Sequence, residues 1–276
     1  MHLVVQGTKL ADRDAEQLLR LSGARELLRL GPGVCRLLGA HRAPGIAELC
    51  ARARLDFGFV PEVRKLTHMK LLAIDMDSTL IDIECIDEIA DMAGVKSEVS
   101  AITAAAMSGE LDYAESLRRR VQLLRGLEES ALARVYDERL RLSPGAETML
   151  AAMKASGVST LLVSGGFSYF TEHLKTRLAL DYATSNVLEI AHGRLTGRVV
   201  GHIVDAEAKA AKLREVSDQL GIGKEHVIAV GDGANDLAMM AEAGVSVAYR
   251  AKAVVRDRAD YALDHVGLDG VLTLFV

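Results

Sequence analysis

Four short, uninterrupted apolar runs set the strongest limit on the fold: Leu71–Ile74, Thr160–Val163, Val227–Val230 and Val245–Ala248. Each has the length of a strand, is bounded by polar or turn residues, and lacks the alternation of a strand with one wet face. That pattern belongs to strands buried on both faces of a parallel sheet. Amphipathic stretches over Gly145–Ala155, Phe167–Thr176 and Ala206–Leu220 fall between them. Strands therefore alternate with helices, as in an open, doubly wound, Rossmann-like α/β sheet. Ligands of such sheets bind beyond the carboxyl ends of the strands, so the residues just after each run are the ones to read for chemistry.

The rhythm breaks between Ile83 and Leu142, an interval of consecutive helix-forming segments with no strand run. A helical insertion is expected there, following the first core strand and placed to cover the strand ends as a cap. The segment Gly193 to Gly201, with glycine punctuation and β-branched residues, predicts a hairpin or strand pair. The first 65 residues are punctuated differently, by Gly31-Pro32-Gly33 and Ala43-Pro44-Gly45. They are expected to form a small α/β module of unassigned role, ahead of a larger domain over 66–276 whose cap covers about 83–142.

Composition narrows the partners. Half the residues are hydrophobic and 26% are charged, the profile of an ordered chain. A formal net charge of −5 gives no whole-chain attraction to nucleic acid or to an anionic membrane, so a small-molecule partner is expected. Cys35, Cys50 and Cys85 show no CxxC spacing, which fits a reducing cytoplasm better than a disulfide framework. Met1-His2-Leu3-Val4-Val5 lacks the pattern of a leader, and no apolar run approaches the roughly 20 residues that span a bilayer. The eight histidines are scattered, without paired ligand spacing. Oligomeric state stays open, a homodimer included.

The chemistry gathers after the apolar runs. Leu71–Ile74 leads into Asp75-Met76-Asp77-Ser78-Thr79, with carboxylates one residue apart. A strand's period of two would aim both the same way, where they repel unless a cation lies between them or a proton is shared; oxygen ligands favour Mg²⁺. Alone, this is equally a turn or a helix cap. Val227–Val230 leads into Gly231-Asp232-Gly233-Ala234-Asn235-Asp236, which alone is a tight turn. Together, two buried strands ending in acidic loops are much harder to read as structure only. Thr160–Val163 leads through Ser164-Gly165-Gly166 into a helix, where a hydroxyl and backbone N–H groups can bind phosphate oxygens. Lys209, near the start of a helix, can offset phosphate charge, with Lys212 competing for that role.

These segments, in this order, resemble the motif set of the haloacid dehalogenase superfamily of phosphotransferases. Asp75-Met76-Asp77-Ser78-Thr79 is similar to its first motif, Ser164 to its second, Lys209 to its third, and Gly231 to Asp236 to its fourth. The closer resemblance is to the phosphoserine phosphatase family. It is carried by Glu84, Ile86-Asp87-Glu88-Ile89-Ala90, Ser116-Leu117-Arg118-Arg119-Arg120-Val121 and Val163-Ser164-Gly165-Gly166-Phe167.

That resemblance implies hydrolysis of O-phospho-L-serine, the last step of L-serine biosynthesis, through an aspartyl phosphate on Asp75. It implies Asp77 as acid and base, and Mg²⁺ held by Asp75, the Asp77 carbonyl and Asp232, with Asp236 orienting the metal shell or Lys209. Lys209 and Ser164 would lie on the phosphate with Gly165. Glu84 would meet the substrate ammonium, Arg120 its carboxylate, and Asn235, Met107 and Tyr113 would lie nearby. A carboxylate for an ammonium and a forked guanidinium for a carboxylate are what an amino acid needs. Arg118, Arg119 and Arg120 cannot all enter one pocket, because successive helical residues point about 100° apart, and Arg120 is the one expected there. Asp77 is expected to have the higher pKa of the carboxylate pair, and Cys85 to be a buried structural thiol. A phosphatase for another small ester such as phosphohomoserine is the alternative, and a scaffold that has lost catalysis is opposed by the intact Asp75, Asp77, Lys209 and Asp232.

Overall fold

The first 60 residues alternate strand and helix: β1 (His2–Gln6), α1 (Asp12–Ser22), β2 (Glu26–Gly31), β3 (Val34–Leu38), α2 (Ile46–Ala53) and β4 (Asp56–Val60). The computed structural model describes residues 1–107 and 110–275, and the side chain of Met107 lies outside the described residues. β2, β3, β1 and β4 form, in that order, a four-stranded antiparallel sheet. Alternation turns Leu3, Val5, Cys35 and Leu37 to one face, where they pack with Leu18, Ile46 and Leu49 of the two helices. α1 carries Asp12 and Asp14 in its first turn and stops at Gly23, whose φ of 61° suits a residue without Cβ.

β5 (Leu71–Ile74) is buried along its whole length. Its approach is held from both sides: Lys70 N donates to His226 O at 2.8 Å, and Ser159 N donates to Lys70 O at 2.9 Å. A strand with neighbours on both edges and cover on both faces needs an unbroken apolar run, which is what the sequence has. The predicted insertion follows as α3 (Cys85–Ala93), α4 (Lys96–Met107), α5 (Tyr113–Leu123) and α6 (Ser130–Arg134). α3 buries Cys85, Ile86, Ile89 and Ala90 on one face and ends at left-handed Gly94; Asp112 caps α5 by accepting from Glu115 N at 2.8 Å.

The remaining elements are α7 (Ala146–Ala155), β6 (Ser159–Phe167), α8 (Ser168–Leu178), β7 (Tyr182–Ala191), β8 (Arg194–Val200), α9 (Ala206–Leu220), β9 (Val227–Gly231), α10 (Leu237–Ala241), β10 (Val245–Tyr249), α11 (Ala253–Arg256) and β11 (Tyr261–Leu263). β6 runs parallel to β7, β9 to β10 and β10 to β11, while β7 and β8 are antiparallel. Each predicted apolar run is a strand, but β6 continues to Phe167. The hairpin expected over Gly193 to Gly201 is wider, because its first strand is β7. Its turn is His192-Gly193, with φ of 52° and 70°, the left-handed pair that a tight two-residue hairpin requires.

The chain divides into two compact units, Met1–Leu72 with Pro144–Ser159 and Ile222–Val276, and Ala73–Ser143 with Thr160–Gly221. In the first unit the N-terminal sheet is tied to the C-terminal segment. Asp56 accepts from the backbone N–H groups of Asp264, His265 and Val266 at 2.9, 2.9 and 3.2 Å. Arg36 Nη2 donates to Thr273 O and Phe275 O at 2.8 and 2.5 Å. The second unit holds the insertion helices, α8, α9 and the β6–β7–β8 strands. Among the described residues no helix is long and apolar enough to cross a membrane.

Candidate active site

In the second unit, Asp75 follows β5 and is 5% exposed. Its Oδ1 accepts from Met76 N at 2.8 Å and from Lys209 Nζ at 2.7 Å. The chain then curls, with Leu80 N donating to Asp75 O and Ser78 in the left-handed region at φ 56°. Asp77 therefore sits in a turn rather than on the strand, and hydrogen bonds, not the strand period, aim its carboxylate. Oδ1 accepts from Cys85 N at 2.8 Å and Oδ2 from Ser164 Oγ at 3.1 Å. Burial pushes the Asp77 carboxyl above its usual range, against the opposing pull of Cys85, Ser164 and Lys209.

The end of β6 forms the second side of this arrangement. Register runs Val163 with Thr184 and then Phe167 with Asn186, four steps on one strand against two on the other. Ser164, Gly165 and Gly166 are thereby bulged out of the ladder. Ser164 Oγ accepts from Gly166 N at 2.8 Å while it donates to Asp77. The carbonyl of Gly165 accepts from Asn186 Nδ2 at 2.7 Å and from the Tyr113 hydroxyl at 3.1 Å. A side chain at Gly165 would strike the Tyr113 hydroxyl, and one at Gly166 would strike the Asp77 carboxylate. Burial pushes the Tyr113 phenol up to about 12, which keeps it a donor.

α9 supplies the cation. Asp205 caps it by accepting from Ala208 N at 2.9 Å, and Lys209 is fully buried in its first turns. The two candidate lysines separate cleanly: Lys209 pairs with Asp75, and Lys212 pairs with Glu215 on its own helix at 2.8 Å. The arginine run separates too. Arg118 and Arg119 are exposed, Arg119 pairing with Glu115 at 2.7 Å, whereas Arg120 is half-buried with Nε 3.4 Å from Ser116 O. Glu84 stands at the start of α3 but does not cap it, and instead accepts from Ser78 Oγ at 2.7 Å. The expected contribution of Met107 rests on a side chain outside the described residues. The thiol of Cys85 is buried and burial holds its pKa well above the usual value, so it is no nucleophile.

In the first unit, β9 ends in the Gly231 to Asp236 loop. Buried Asp236 Oδ2 accepts from Asp232 N and Gly233 N at 3.2 and 3.0 Å, so it shapes the loop that presents half-buried Asp232 and Asn235. A side chain at Gly231 would meet the Asp236 carboxylate. Asp232 and Asp236 in this unit, like Asp75 in the second, carry carboxylate oxygens, the donors that a hard divalent cation takes. Sequence reasoning passed over Asn186. Its one signal is an amide residue, disfavoured in strands, midway along a strand.

A model of the family described as haloacid dehalogenase-like hydrolase matches residues 72–241. A phosphoserine phosphatase of Albidiferax ferrireducens is 54% identical over 223 residues, 79% of this chain and 94% of the relative. The chain belongs to the phosphoserine phosphatase family of haloacid dehalogenase-like hydrolases. A further member from Polaromonas sp. is 55% identical over 215 residues, covering 76% of this chain and 91% of its own length. The unliganded crystal structure of a probable phosphoserine phosphatase from Vibrio cholerae superposes with a TM-score of 0.87 at 40% identity, over 99% of this chain and 85% of that one. The expected family, its α/β fold with a mostly parallel sheet, and enzymatic hydrolase chemistry are thus borne out. A domain of unknown function matches residues 3–46, in the N-terminal segment.

Proposed function

We propose that the chain hydrolyses O-phospho-L-serine to L-serine and phosphate, the closing step of L-serine biosynthesis, with Asp75 as the nucleophile. The observation that carries this reading is the buried Lys209–Asp75 pair at 2.7 Å, beside an Asp77 whose carboxyl is raised by burial. A carboxylate approaching a phosphate dianion is repelled, and a buried ammonium that can share its charge with both offsets that repulsion. Asp75 attacks phosphorus in line, the bond from phosphorus to the serine oxygen breaks, and protonated Asp77 gives its proton to that oxygen. Asp77, now ionised, takes a proton from the water that attacks the acyl phosphate, which releases Asp75. A raised pKa suits the first of these tasks, and the hydrogen bonds from Cys85 N and Ser164 suit the second.

The donor set fits Mg²⁺, to be held by Asp75, the Asp77 carbonyl and Asp232, with Asp236 organising the loop around Asp232. When bound, the ion supplies Lewis-acid stabilisation of charge on the phosphoryl oxygens. Ser164 and Gly165 contact the phosphate. Glu84 receives the ammonium and Arg120 the carboxylate, with Asn235, Met107 and Tyr113 completing the pocket. The insertion over about 83–142 acts as the cap of a catalytic domain spanning 66–276, and residues 1–65 form a module that contributes no catalytic group. The partner is a small phosphoester in the cytoplasm, and one chain carries every group the reaction uses, with or without a second copy.

Phosphate release from O-phospho-L-serine, phosphohomoserine and an aryl phosphate, with Mg²⁺ and with chelator, tests this. Magnesium-dependent turnover strongest on phosphoserine is expected. Preference for phosphohomoserine would overturn the substrate while leaving the mechanism, and no turnover of any ester would overturn both.

A further inference from the structure

Where β6 leaves its ladder with β7, the carbonyl of Gly165 accepts from the side chain of Asn186. Asn186 is 1% exposed and its amide is used at both ends. Nδ2 donates to Gly165 O at 2.7 Å, and Oδ1 accepts from Val204 N at 2.8 Å. Val204 directly precedes Asp205, the cap of α9, whose first turns carry Lys209. One side chain therefore joins the loop that presents Ser164 to the start of the helix that presents Lys209. Those two groups reach the two carboxylates of the site, Ser164 to Asp77 and Lys209 to Asp75.

From this geometry we infer that Asn186 is a positioning residue for the reaction: it holds the Ser164 loop and the origin of α9 in one fixed spacing. The inference rests on the phosphatase reading above. Only an amide does this work, since it presents a donor and an acceptor in one rigid plane. An aspartate of the same shape keeps the acceptor for Val204 N but sets a carboxylate oxygen against the Gly165 carbonyl. Small misplacements of groups that stabilise developing charge cost rate far more than they cost stability.

The test compares Asn186→Asp and Asn186→Ala with Thr171→Val. The last removes a neighbouring, partly buried hydrogen bond, between Thr171 Oγ1 and Ser185 Oγ at 2.8 Å, which joins α8 to β7 without touching the loop or α9. The Asn186 variants are expected to lose about tenfold or more in kcat, with a smaller change in KM because Glu84 and Arg120 still hold the amino-acid end. Their Kd for inorganic phosphate, which lacks those anchors, is expected to rise about fivefold, read by calorimetry. Thr171→Val is expected to lower the melting temperature comparably and to leave kcat and phosphate Kd unchanged. If the wild type is active and both Asn186 variants keep kcat and phosphate Kd within about twofold, Asn186 is only structural and the inference is overturned. If the wild type does not turn over phosphoserine, the phosphatase reading fails, and the phosphate Kd of Asn186→Asp then decides the role of Asn186 by itself. Should Asn186→Ala not fold, the isosteric Asn186→Asp carries the comparison.

Discussion

Asp56, at the start of β4, and Asp75, just past β5, are both buried carboxylates, and each is 5% exposed. Asp56 is met by three consecutive backbone N–H groups of the 264–266 segment. Asp75 is met by its neighbour's N–H and by the ammonium of Lys209. Backbone donors fixed in one loop satisfy a carboxylate and lock it, so Asp56 serves as a joint between the N-terminal sheet and the C-terminal segment. A cationic side chain satisfies a carboxylate and can also hold an incoming anion. Two aspartates of equal burial thus differ in what they can do, and the donors rather than the burial decide which is chemical.

The comparison breaks if the two residues can exchange consequences. Asp75→Asn is expected to lower kcat by about a thousandfold or more while the melting temperature stays near that of the wild type, measured by steady-state assay and thermal scan. Lys209→Met should cost about a hundredfold in kcat, since it removes a preorganised charge, and it also leaves Asp75 buried without its cation, which the same scan will register as lost stability. Asp56→Ala should do the reverse. It is expected to cost about 3 kcal/mol in denaturant unfolding, because three backbone N–H groups lose their buried acceptor, while kcat per folded molecule is retained. A large loss of kcat there, with stability intact, would erase the distinction.

The smallest expected effect concerns the thiols. Burial raises Cys35 to about 11 and Cys50 to about 12, and raises Cys85 as well. A raised thiol pKa lowers the thiolate fraction below it, so at about pH 8 only about 0.1% of Cys35 is reactive, rising roughly tenfold per pH unit. Alkylation of the native protein should be negligible at that pH in both regions and become complete on unfolding. Fast native labelling of Cys85, beside Asp77, would contradict the closed environment drawn for that carboxylate.

The parts of the fold legible in the sequence are those where burial on both faces leaves a run of one kind. β5, β9 and β10 are such strands, and the amphipathic stretch read over Ala206–Leu220 is α9 with the same bounds. β7 was not legible because it is largely half-exposed and carries Thr184, Ser185 and Asn186 among its apolar residues. β11 was not, because Tyr261–Leu263 is too short to stand out from noise. At the site, residue types and order were readable, but not the choice between equals. Lys209 and Lys212 share a helix, and only the fold turns one of them inward. The Asn186 bridge depends on two extra residues bulged out of β6, a matter of register that no local pattern reports.

The most direct measurement is to quench the protein during turnover of O-phospho-L-serine with Mg²⁺ present and to map covalent phosphate by peptide mass spectrometry. A hydroxylamine-labile phosphate on the peptide that bears Asp75, absent from Asp75→Asn, is the predicted result. Steady turnover with no phosphate on Asp75, or with undiminished activity in Asp75→Asn, would contradict the account.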